Sequence, residues 1–169
     1  LSELTFPVYN VKDFDNLPIP FRAMATDVVH GKEVILSKGS LAFAMRASMS
    51  LPAVFKPMPH EETLLVDGGV MNNFPTDIAK QMGADIIIGS NVGGGMEPID
   101  KLNNLVTVLM QTSMFPSNIK NPDNRKLCDI LVDHMPNLRF STADFAESNE
   151  IYKDGKIATA LNLNALSAL

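Results

Sequence analysis

Short apolar blocks alternate along the chain with clusters of proline, glycine and asparagine, and the blocks differ in period. "FRAMATDVV" (21–29) and "KEVILS" (32–37) are β-rich runs either side of His30-Gly31, which predicts a hairpin. Ser40 can cap a helix through "LAFAMRASMSL", which must stop before Pro52. Small or apolar residues cover nearly every face of that helix, so burial is expected. "TLLV" (63–66) predicts a short strand that delivers Asp67.

Pro75 suits the first turn of a helix through "TDIAKQM", and Gly83 suits its C-terminal cap. The unbroken apolar run "ADIIIGSNV" (84–92) predicts a parallel strand buried on both faces. Ile99, Leu102, Leu105, Val106, Leu109 and Met110 form one stripe, an amphipathic helix over 99–115. "CDILVDHM" (128–135) reads as a strand, and Ser141-x-x-Asp144 as the capping box of a last helix to about Leu161.

Strands and helices alternate after the hairpin, so the fold class is α/β with a mainly parallel sheet flanked by helices. Residues 1–20, with Pro7, Pro18 and Pro20, read as a connecting segment ahead of one unit over 21–169. Three or four strands make a small sheet that needs its faces and edges covered. The chain therefore reads as part of a larger domain.

Composition narrows the function. At 46% apolar and 20% charged, 169 residues suffice for a sizeable core. A net charge of −5 without a basic cluster argues against nucleic acid. One cysteine, Cys128, excludes an internal disulfide framework and a cysteine-based metal site. No apolar run is long enough to span a bilayer. The chain has no initiator Met and no signal-peptide pattern, reads as starting mid-gene, and carries no sign of its compartment.

"LLVDGGVMNNFP" (64–75) is the stretch that chemistry points to. Ligand sites in open α/β sheets gather beyond the carboxyl ends of strands, where a desolvated carboxylate can act as a general base. Gly68 and Gly69 allow a sharp turn and a close neighbour. Asp67 as a simple turn cap is the competing reading, since Asp-Gly is ordinary turn chemistry. The glycines of "NVGGG" (91–95) match neither a phosphate loop nor a dinucleotide fingerprint, and a surface loop is the better reading. The serine elbow G-x-S-x-G is absent. Ser48 and Ser50 fall on the buried helix and Ser90 lacks flanking glycines, so none reads as a nucleophile. His30, His60 and His134 are scattered without metal-ligand spacing or a triad.

"LPIPFRAMATDVVHGKEVILSKGSLAFAMRASMSLPAVFKP" followed by "LLVDGGVMNNFPTDIAKQMGADIIIGSNV" closely resembles the second half of the bacterial patatin-like phospholipase domain. The closing "DILVDHMPNLRFSTADF" resembles that family's C-terminal part. The resemblance implies a three-layer α/β/α domain and a lipid acyl hydrolase of the phospholipase A type. Such an enzyme uses a Ser–Asp dyad with no histidine relay, no metal and no cofactor. Asp67 matches the family's catalytic aspartate, and Gly68 and Gly69 its motif glycines. The nucleophile and oxyanion loop belong to an N-terminal half that these 169 residues lack, so the isolated chain is expected to be inactive. The partners implied are a lipid or membrane-interface substrate and the missing half. Exposed sheet surface would favour a homo-oligomer or fragment pairing. The alternative is a lipid-binding or scaffold module that kept the fold and lost the chemistry.

Overall fold

A computed structural model describes all residues except 94, 141–143 and the side chain of 145. The chain runs α1 (Ser2–Thr5), β1 (Ala23–Asp27), β2 (Lys32–Leu36), α2 (Leu41–Ser48), β3 (Met58–His60), β4 (Thr63–Asp67) and α3 (Gly69–Asn72). It continues with α4 (Thr76–Gln81), β5 (Ile88–Asn91), α5 (Leu105–Ser113), α6 (Phe115–Lys126), β6 (Ile130–Asp133), α7 (Ser148–Ala160) and α8 (Leu163–Ser167). Two compact units emerge, one of Leu1–Asn73 with Met96–Lys120, the other of Phe74–Gly95 with Asn121–Leu169.

The first unit is built on a four-stranded sheet of order β2-β1-β4-β3. The hairpin expected from 21–37 forms, with Ala23 opposite Leu36 and Asp27 opposite Lys32. α2 forms where Ser40 promised it, the Ser40 hydroxyl accepting the Phe43 N–H at 3.3 Å. Its Ala44 and Ala47 are buried in the core with Leu36 and Leu65. Small residues there let the helix lie close on the sheet, and Leu65 at 0% exposure contributes about 1.5–3 kcal/mol by its burial. Phe14, from the segment read as a connection, is also fully buried in that core.

The second unit pairs β5 with β6 in parallel, Ile88 opposite Ile130 and Asn91 opposite Asp133. Ile130 and Val132 pack with Ala158 of α7 and Leu166 of α8. α4 ends as expected, with Gly83 at φ +91 past its last turn.

The fold class is mixed α/β, but the mainly parallel sheet is found only at β5–β6. The larger sheet is antiparallel because β4 is entered through a tight β3–β4 hairpin, with His60 opposite Thr63, and parallel pairing needs a long crossover instead. That hairpin puts His60 on a strand. The run at 84–92 yields strand only over Ile88–Asn91, exposed and buried in alternation. Ile86 and Ile88 are 50% and 52% exposed, so this strand is not buried on both faces. The helix expected over 99–115 is a 3-10 turn at Ile99–Lys101, a break, and then α5, whose start is set by the Asn104 side chain accepting Thr107 N–H at 3.0 Å. α6 was not expected, and it contains two prolines. Pro116 falls in the first turn, where a missing N–H costs nothing, and only Pro122 lies inside. Ser141 lies outside the described residues; α7 begins at Ser148.

Candidate active site

Asp67 is the last residue of β4, opposite Ala25 of the central strand β1. Its backbone is fixed on both sides. The Asp67 N–H donates to the Ser50 carbonyl at 2.9 Å, and the Thr26 hydroxyl donates to the Asp67 carbonyl at 3.0 Å. Thr26 is 3% exposed, so this contact is shielded from water. Its side chain is held as well: the Gly69 N–H donates to Oδ1 at 2.7 Å. Among the described residues nothing donates to Oδ2.

The two glycines have separate reasons. α3 starts immediately against β1, and a Cβ on Gly68 would lie 2.4 Å from the Met24 carbonyl carbon, inside the strand backbone. A Cβ on Gly69 would lie 2.6 Å from Asn73 Oδ1 and 3.0 Å from Asp67 Oδ1, pushing the carboxylate off the amide that holds it. Aspartate and glycines thus form one device, a strand-end carboxylate on a turn with no room for side chains.

Burial raises the Asp67 pKa above its ordinary value, and the hydrogen bond from Gly69 N–H offsets part of that rise. A carboxylate whose proton affinity is raised, with one oxygen anchored and one available, is suited to accept a proton. Asp27, on the same sheet, is the contrast. The Thr63 hydroxyl donates to it, His30 Nδ1 lies 2.7 Å from Oδ2, and its pKa is strongly lowered, first by Thr63. With its oxygens occupied, Asp27 ties turns together and has no chemistry to offer.

The following "NNFP" is anchored rather than reactive. Asn72 is 2% exposed and its amide donates to Glu33 Oε2 at 3.3 Å, while the Asn73 N–H donates to the Ser117 hydroxyl at 2.8 Å. These polar anchors and the Thr26 and Ser50 contacts are tertiary pairings that motif spacing could not reveal.

No serine is brought to Asp67 Oδ2 among the described residues. Ser50 is fully buried, its hydroxyl donating to the Arg46 carbonyl at 2.7 Å and accepting from the Arg46 guanidinium at 2.6 Å. It is a structural group, and it lies past the end of α2 rather than on that helix as the sequence predicts. Ser90 lies on β5, with its Oγ 2.9 Å from His134 Nε2. His60 stacks on Phe43 with ring centres 5.5 Å apart. Cys128 is half-buried, and burial pushes its thiol pKa up, as suits an unreactive side chain. Among the described residues no cluster of His, Cys, Asp and Glu could hold a metal ion.

One comparison with known proteins covers the stretch that carries this device. Residues 6–80 match the family model described as patatin-like phospholipase. Over 88 residues the chain is 36% identical to patatin-like phospholipase domain-containing protein 7 of Mus musculus, covering 51% of this chain and 6% of that protein. It is 38% identical over 88 residues to domain-containing protein 6 of the same name from Homo sapiens, again 51% of this chain and 6% of that protein. An uncharacterized NTE family protein of Mycobacterium tuberculosis is 38% identical over 80 residues, 47% of this chain and 22% of that protein. The chain therefore matches only a small part of each relative's length. What the comparisons show is similarity to the patatin-like phospholipase family over residues 6–80, a stretch that contains the Asp67-Gly68-Gly69 turn.

Proposed function

We propose that this chain supplies the general base, Asp67, of a serine-dependent lipid acyl hydrolase of the phospholipase A type. On this reading 21–169 form the C-terminal half of a three-layer α/β/α domain, with 1–20 leading into it. The nucleophile sits on G-x-S-x-G in a segment outside these 169 residues, which also brings the oxyanion donors. The observation that carries the reading is the anchored, partly desolvated Asp67 carboxylate at the end of β4, inside the segment that matches the family.

The steps follow from acid–base balance. Asp67 takes the proton of the serine hydroxyl as the oxygen attacks the ester carbonyl. The tetrahedral intermediate collapses to an acyl-serine, and the leaving alcohol departs with the proton that Asp67 returns. Asp67 then takes a proton from water, whose oxygen attacks the acyl group, and the fatty acid is released with the serine restored. Oxyanion donors in a comparable hydrolase each contribute about 2.7–4 kcal/mol, so Asp67 alone gives no useful turnover.

Two measurements test this. The isolated chain is expected to leave p-nitrophenyl butyrate untouched above buffer; turnover abolished by Asp67→Asn would place a nucleophile within these residues. In the full-length parent, Asp67→Asn should lower kcat/KM by about 10²–10⁴-fold, the usual contribution of a general base. A loss below tenfold sinks the proposal.

A further inference from the structure

The second unit carries an open cavity of about 400 Å³ with a predominantly apolar wall. That volume is within the range of small-molecule sites, about 300–1,000 Å³. Leu163, Ala160 and Thr159 form one stretch of wall; His134 and Lys156 bring the nitrogen-bearing groups. Asp67 has no part in it.

Gly155 is the informative residue. It lies inside α7, where glycine costs about 1 kcal/mol relative to alanine. Its φ is not positive, so backbone geometry does not demand it. What its missing side chain does leave is space: the nearest atom to a Cβ placed there is His134 Nδ1, at 3.9 Å. His134 in turn is oriented by Ser90, whose Oγ lies 2.9 Å from Nε2. When the Ser90 hydroxyl donates to Nε2, the ring hydrogen sits on Nδ1, the nitrogen beside the opening that Gly155 leaves.

We propose that this groove binds a fatty acid, its carboxylate between His134 Nδ1–H and the Lys156 ammonium and its chain along Thr159, Ala160 and Leu163. Charge decides the occupant. An apolar wall alone would suit any hydrocarbon, but His134 and Lys156 among the lining residues complement an anionic head group. The Lys156 ammonium lies 5.7 Å from the centre of the Tyr152 ring, with no carboxylate paired to it among the described residues, and so is available to an incoming anion. A fatty acid is also what the proposed hydrolysis releases, but this site needs no turnover and is measured on the chain alone.

The experiment is titration of the full 169-residue chain with decanoate below its micelle concentration, read by amide and imidazole NMR shifts. Saturable shifts at His134, Gly155 and Leu163 are expected. Lys156→Gln should weaken binding about tenfold, the worth of one charge-assisted hydrogen bond. Gly155→Leu, which fills the groove while favouring helix, should abolish it. Decanol should bind at least tenfold more weakly than decanoate. Non-saturating or scattered shifts, full binding to Gly155→Leu, or equal affinity for decanol would each overturn the proposal. So would groove shifts that grow with protein concentration in the absence of ligand, which would make a second copy the occupant. Asp67→Asn should leave decanoate affinity unchanged, so failure here and failure of the hydrolase reading are distinguishable.

Discussion

Asp67 is stabilised in place and destabilised in charge, and the two can be separated by pH. Burial raises its pKa above the unfolded value of about 3.9, so over the interval between the two values the folded chain holds a proton that the unfolded chain has lost. The associated stability is complete below the unfolded value and is lost as pH rises through the folded one. Asp67→Asn keeps an oxygen for the Gly69 N–H and removes the charge. The variant is expected to resist urea better than the parent chain at pH 7 and equally well at pH 3. Lower stability of the variant at pH 7 would show that desolvation is not the dominant cause. Asp67 was legible in the sequence because acid and glycines are adjacent. Thr26 and Ser50 were not, since each reaches Asp67 across a distance in sequence that no local pattern encodes.

Helix starts show which part of the element pattern can be trusted. Ser40 and Asn104 each accept a backbone N–H three residues on. Replacing either by alanine should cost about 1 kcal/mol, read as a shift in the urea midpoint. The α2 cap announced itself by preceding a clean apolar run. The Asn104 cap was hidden inside an apolar stripe that runs through it, so one long helix was expected where a turn and α5 stand. The parallel-sheet expectation held only at β5–β6, for a related reason. "MPH" contains a proline and no β-branched residue, so β3 gave no strand signal, and without β3 the route into β4 read as a crossover. Ile86 to Ile88 misled differently: an apolar run tells how oily a segment is, not which of its faces a neighbour covers.

At the scale of the molecule, α5 and the start of α6 present apolar side chains outward. Leu105 is 72% exposed, Leu109 49%, Phe115 42% and Ile119 79%. No charged residue occurs between Lys101 and Lys120. A surface of this kind drives association. Sedimentation of the isolated chain should show species larger than a monomer, reduced by the double change Leu105→Ser and Leu109→Ser. A strict monomer at every concentration would count against a half-domain awaiting its complement. The α/β class and the aspartate turn were readable because each is written in contiguous residues, whereas sheet direction and outward faces depend on which segments meet.

The Asp67 cradle has a further consequence for the order of events as the chain folds. β1–β2 and β3–β4 are local hairpins, each closed by a short turn. The Thr26 contact with Asp67 joins residues 41 apart, and it exists only once β4 lies against β1. Closing that longer loop costs more entropy than either hairpin. A chain with both hairpins formed but not yet joined would contain every residue of the motif and none of its geometry. The proposed base takes on its geometry at the step that zips the two halves of the sheet together.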